Sequence, residues 1–188
     1  MKKIFLSVAI LSALGVSAVS QAATVGATGT ITFKGQINAD SCVIHTNGPG
    51  SAGGRDLLVD MGSVSADSLG TEAQPTVSGG TITALPTDVA LTLECVSGTS
   101  VELALTPGIA SGKGIGVTGG AQGVQIMLTQ AGNALDFSAG PVTLNAPLNA
   151  GVANIDLRAF YTRQLGKAVA DVVPGNAVGT ASYVLSYN

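Results

Sequence analysis

Few residues in this sequence could do chemistry, and the first to weigh are Cys42, His45 and Cys95. Cys42-Val-Ile-His45 sets the only histidine three positions from a thiol. On a strand that odd offset sends the two side chains to opposite faces, so thiol and imidazole would not converge. A metal site wants three or four ligands, and one histidine supplies too few. A Ser-His-Asp arrangement would have to use His45, and no G-x-S-x-G accompanies it. Gly114-Ile-Gly116-Val-Thr-Gly119 matches the dinucleotide fingerprint G-x-G-x-x-G, which needs a strand before it and a helix after it. Here Gly120 and Gly123 follow, then a further strand pattern, so the stretch reads as a flexible loop. The eleven acidic residues are scattered and mostly beside turns, where a carboxylate is ordinarily solvated. With no tryptophan, four phenylalanines and three tyrosines, stacking platforms for sugars are also poorly supplied. Neither an enzyme nor a cofactor site is expected.

The chain around these residues has the marks of export. Lys2 and Lys3 precede an apolar, uncharged run from Ile4 to Val19, and Ser20-Gln21-Ala22 places small residues three and one before a cut. This is the pattern of a secretory signal peptide cleaved after Ala22. Removing 22 of the 188 residues leaves 166, enough for one domain with its own core. Lys2 and Lys3 leave with the leader, so six of the eight basic residues remain against eleven acidic ones, a net charge of −5. That balance argues against nucleic acid and anionic membrane surfaces as partners. Charged residues are only 10% of the chain, 26 residues are glycine, and the mean hydropathy is +0.47. Such a surface is expected to be covered in part by another protein. In an exported chain the even cysteine count favours one disulfide, Cys42–Cys95, over a reactive thiol.

The elements that must carry these residues are strands. Val25, Ala27, Gly29, Ile31, Phe33, Gly35 and Ile37 alternate with mainly polar residues, a long period-two run at the N-terminus. Further strands are expected over Asp56 to Val64, with Leu57, Val59 and Met61 on one side, and over Asp88 to Val96. Others follow at Val101–Leu105, Val124–Leu128, Val152–Tyr161 and Gly179–Tyr187, while Gly108 to Gly120 reads as loop. No ten-residue segment repeats apolar positions at helical spacing with caps. The expected class is all-β, an Ig-like antiparallel sandwich.

Three features belong together: the alternating N-terminal arm, the run Gly29-Thr-Ile31-Thr-Phe33-Lys-Gly35-Gln-Ile37 ahead of Cys42, and a last strand with Tyr187 penultimate and Gly175 fourteenth from the end. With Val59-Asp60-Met61-Gly62-Ser63-Val64, Leu91-Thr-Leu-Glu-Cys95 and Arg158-Ala-Phe160-Tyr161, the sequence resembles the subunits of chaperone–usher fimbriae. It is most similar to the major pilins of type 1-like fimbriae. The resemblance implies an incomplete Ig-like sandwich lacking its last strand, with an N-terminal donor-strand arm. It divides the chain into a signal peptide (1–22), a donor-strand extension (23–38) and a pilin domain (39–188). It implies that Gly29, Ile31, Phe33, Gly35 and Ile37 plug a neighbouring subunit, and that Gly175, Tyr183, Leu185 and Tyr187 border the groove and meet a chaperone. A bulge or weak strand point is the alternative for Gly35, and a wet-tipped core cap the alternative for Tyr187. The implied partners are identical or related pilins, a periplasmic chaperone and an outer-membrane usher, with no small-molecule substrate. The implied place is the surface fimbria, reached through the periplasm. A minor adaptor or adhesive tip subunit is the other function to weigh.

Overall fold

The computed structural model describes residues 42–46, 56–75 and 86–188. All of them fall within one unit, Asn38–Asn188. Eleven strands are present among them: β1 (Cys42–Thr46), β2 (Thr87–Cys95), β3 (Ser100–Pro107), β4 (Ala110–Ser111), β5 (Gly114–Thr118), β6 (Val124–Gln130), β7 (Asn133–Ala134), β8 (Val142–Pro147), β9 (Val152–Arg163), β10 (Val178–Gly179) and β11 (Ala181–Tyr187). Three single 3-10 turns, Ala66–Ser68, Phe137–Ala139 and Val169–Asp171, are the only helical elements among the described residues.

The strands form two antiparallel sheets. The larger runs β1-β2-β9-β6-β5-β10, with β4 beside β5 and β7 beside β6; the smaller runs β11-β3-β8. Alternation builds the core between them. Val89, Leu91 and Leu93 on β2 and Ala153, Ile155, Leu157 and Ala159 on β9 meet Val101, Leu103 and Leu105 on β3 and Leu144 and Ala146 on β8. Each fully buried leucine among these contributes about 2–3 kcal/mol.

β6 and the C-terminal end of β9, from Ala159 on, are buried on both faces. Met127, Phe160, Gln125 and Thr162 lie outside the main core yet are closed to solvent. The segment 66–75 crosses this outer face, joined by a parallel bridge between Gly70 and Thr162 and by the Arg163 N–H bond to the Gly70 carbonyl at 2.9 Å. Gln125 Nε2 donates to Glu72 Oε1 at 3.0 Å, and Ser111 Oγ donates to Gln125 Oε1 at 2.9 Å. A buried amide bonded at both ends keeps this cover in one place, because loss of either partner would strand a desolvated polar group.

Two expectations are corrected here. The 108–120 stretch is not a loop, because β4 and β5 form a hairpin within it. Its glycines serve close approach: a Cβ on Gly114 would sit 2.6 Å from the Ile126 carbonyl oxygen, and one on Gly116 would sit 2.7 Å from Ile109 Cγ2. Gly114→Ala should therefore destabilise the domain by about 1–3 kcal/mol, seen as a lower urea midpoint with an unchanged slope. Residues 56–64 form no ladder strand, although Leu57, Val59 and Met61 do pack against the core as their alternation requires. The Gly62 N–H bonds to Asp60 Oδ1 at 2.9 Å and Gly62 takes a φ of +63°, which turns the extended run aside.

Candidate functional site: the β11 end of the small sheet

β11 carries Ala-Ser-Tyr-Val-Leu-Ser-Tyr, with no charge and no proline. Its register on β3 sets Tyr183 opposite Leu105, Leu185 opposite Leu103 and Tyr187 opposite Val101. These pairs share the core-facing side, but their burial differs. Val101 and Leu103 are at most 1% exposed, whereas Tyr183 and Leu185 are half-buried and Tyr187 is 41% exposed. The core is thus closed over β3 and thins out along β11, at the end of the sheet.

Backbone direction follows from two hydrogen bonds. Asn188 N–H donates to the Ser100 carbonyl at 3.0 Å, and Gly108 N–H donates to the Thr180 carbonyl at 2.8 Å. Along an antiparallel strand, successive residues turn their backbone groups to opposite sides. Ser182, Val184 and Ser186 therefore bond to β3, and Ala181, Tyr183, Leu185 and Tyr187 direct N–H and C=O away from it. The same four residues carry the core-facing side chains. An added strand would meet main-chain groups and apolar side chains together, which is the arrangement strand addition uses.

The remaining residues singled out in the sequence fall as follows. Cys42 and Cys95 are joined in a disulfide, directly opposite each other on β1 and β2 with Cα atoms 4.0 Å apart. His45 lies on the other face of β1, its Nε2 4.0 Å from Glu94 Oε2. Gly175 is not on β11. It sits in the bend before β10, where a Cβ would meet the Ala121 nitrogen at 2.6 Å and the Gly120 carbonyl carbon at 2.7 Å. Gly29, Ile31, Phe33, Gly35 and Ile37 lie outside the described residues.

Sequence reasoning did not assign Leu57, Val59 and Met61 to the site. They are half-buried against the same core as Tyr183 and Leu185. Their alternation was visible, but nothing in it set them apart from an ordinary strand. Asp60, between them, lies close enough to Tyr161 to act on it. Burial first, and then the Asp60 charge, raise the Tyr161 pKa above the ordinary phenol value. The hydroxyl stays protonated and donates to the Ala177 carbonyl at 2.9 Å, tying β9 to the approach to β10.

Known structures share this architecture. The P pilus rod subunit PapA is 22% identical, with a TM-score of 0.55 over 79% of this chain and 100% of that one. A structure of a chaperone–usher pilus concerned with rod uncoiling is also 22% identical, with a TM-score of 0.56 over 87% of this chain and 97% of that one. At such identity the likeness is one of fold. No curated protein matches the chain. Residues 31–188, from within the N-terminal alternating run to the end of the chain, match the fimbrial protein family, whose members are structural subunits and not enzymes. The chain belongs to that family.

Proposed function

We propose that this fimbrial protein is a structural subunit of a bacterial surface fimbria that polymerises by donor-strand exchange and supports cell adhesion. The observation that carries the reading is the uneven cover of the core, closed at Leu103 and thinning at Leu185 and Tyr187 on the end strand. A sandwich in this condition needs one more strand, because an open apolar edge invites uncontrolled pairing. The donor is the arm 23–38 of another copy or of a related pilin. Ile31, Phe33 and Ile37 enter beside β11, giving about 5–9 kcal/mol at 1.5–3 kcal/mol for each buried side chain. Gly35 passes a shallow point where a side chain has no room. Leu57, Val59 and Met61 form the opposite wall. Before assembly a periplasmic chaperone occupies the same groove, and an outer-membrane usher delivers the subunit to the cell surface.

The test is the size of the assembled protein. Exported with a fimbrial chaperone and run unboiled, the chain should give high, SDS-resistant ladders, and deletion of residues 23–37 should abolish them. A stable monomer that needs no chaperone would overturn the reading.

A further inference from the structure

The small sheet has a second end, and its backbone differs from that of β11. Among the described residues β8 pairs only with β3, in the register Val101↔Ala146, Leu103↔Leu144 and Leu105↔Val142. Ser100 turns its backbone toward β11, as its bond from Asn188 shows, so Val101 turns toward β8. The Leu148 N–H bond to the Thr99 carbonyl at 2.9 Å sets the same phase from the other side. Val142, Leu144 and Ala146 therefore bond to β3, and residues 141, 143, 145 and 147 point their backbone outward. Two of these four are prolines: Pro141, just before the strand, and Pro147, its last residue.

Proline has no N–H to donate. A strand approaching β8 would find donors only at Thr143 and Asn145, and none at either end of the six-residue ladder. On β11 all four outward positions, Ala181, Tyr183, Leu185 and Tyr187, carry an N–H. Proline is tolerated at an edge because its ring side faces solvent, which explains why it can stand there. It does not explain why both ends of one edge carry it and the other edge has none.

We propose that Pro141 and Pro147 are specificity residues for strand addition: they close the β8 end of the sheet, so that a second copy of this chain adds a strand beside β11 alone. The proposal rests on the donor-strand reading above. One open end per sheet gives an unbranched polymer, whereas two would let subunits join side to side.

The test restores the missing donors in the full chain with Pro141→Thr and Pro147→Thr together, and compares it with wild type by sedimentation velocity and electron microscopy. The variant should gain an SDS-labile, concentration-dependent association, with its average mass rising severalfold and its filaments bundling sideways. Adding Asn145→Lys should reverse the effect, since an edge lysine blocks strand pairing. An unchanged mass in a variant with wild-type circular dichroism overturns the proposal. Should the double variant misfold, Pro147→Thr alone, at the exposed strand end, carries the same comparison. SDS-resistant ladders scored on the same samples report β11 separately. Their absence from both proteins would overturn the donor-strand reading and the β11 half of the proposal with it; ladders with unchanged mass overturn the β8 half alone.

Discussion

Replacing Cys42 and Cys95 together by alanine should cost the domain about 4 kcal/mol, the largest loss of stability expected from any one interaction here. The bridge closes a loop across a sequence separation of 53 and joins the end strand of the large sheet to its neighbour. Its main effect is on the unfolded chain, where it removes a long loop's freedom. Its sulfurs also pack against the core, so the alanines leave a small void. Urea unfolding followed by circular dichroism measures the change, since the chain has no tryptophan. A midpoint equal to that of the oxidised wild type would show that the bridge constrains nothing. Because β1 stands at the edge of its sheet, it should fray first in the variant, and its amides should exchange fastest.

Gly35→Arg should stop polymerisation while leaving the domain folded. The arm is apolar at every second position, and the family match includes Ile31, Phe33, Gly35 and Ile37. In the proposed complex Gly35 crosses the neighbour's groove between two anchored side chains. An arginine there would hold the arm away from β11 and break the ladder at its centre. On unboiled gels the ladders should vanish, while the chaperone-bound subunit keeps its wild-type spectrum. Gly35→Ala should slow assembly less, because a methyl group asks for less room. Normal assembly by the arginine variant would mean that this glycine does not face the groove.

How much of this was legible in the sequence depended on side-chain alternation. β2, β3, β6, β9 and β11 were readable because an apolar residue stands at every second position facing the core. β5 was hidden because its core-facing Ile115 and Val117 alternate with Gly114 and Gly116, which let Met127 and Ile109 approach the other face and read in sequence as loop residues. β8 was hidden because Pro141, Thr143, Asn145 and Pro147 have the composition of a turn. The double burial of β6 and of the end of β9 was not readable, since Gln125 and Thr162 look like members of a wet face until the 66–75 segment meets them. Residues 56–64 showed the opposite failure, with correct side-chain phase and no ladder. Tyr183, Leu185 and Tyr187 share one side of β11, as their alternation implies, and Gly175 lies in the bend before β10, packed on Gly120. That contact pairs two distant glycines, and no local pattern announces it.

The place of β9 in the large sheet also sets a timetable. β9 lies between β2 and β6, and those two strands have no ladder with each other. A chain emerging N-terminus first, as in synthesis, can pair β1 with β2, and β3 with β8, before residue 152 appears. It cannot join the β2 side of the large sheet to the β6 side until Val152–Arg163 has emerged. Nor can residues 66–75 complete their seat, because Thr162 and Arg163 supply its backbone half, Gln125 alone holding Glu72 from the β6 side by a side-chain bond. Until then the chain is a set of apolar ribbons awaiting their centre strand, the condition in which nascent β-proteins aggregate. Folding is therefore decided late, near the C-terminus, by a strand far in sequence from the first one it must join.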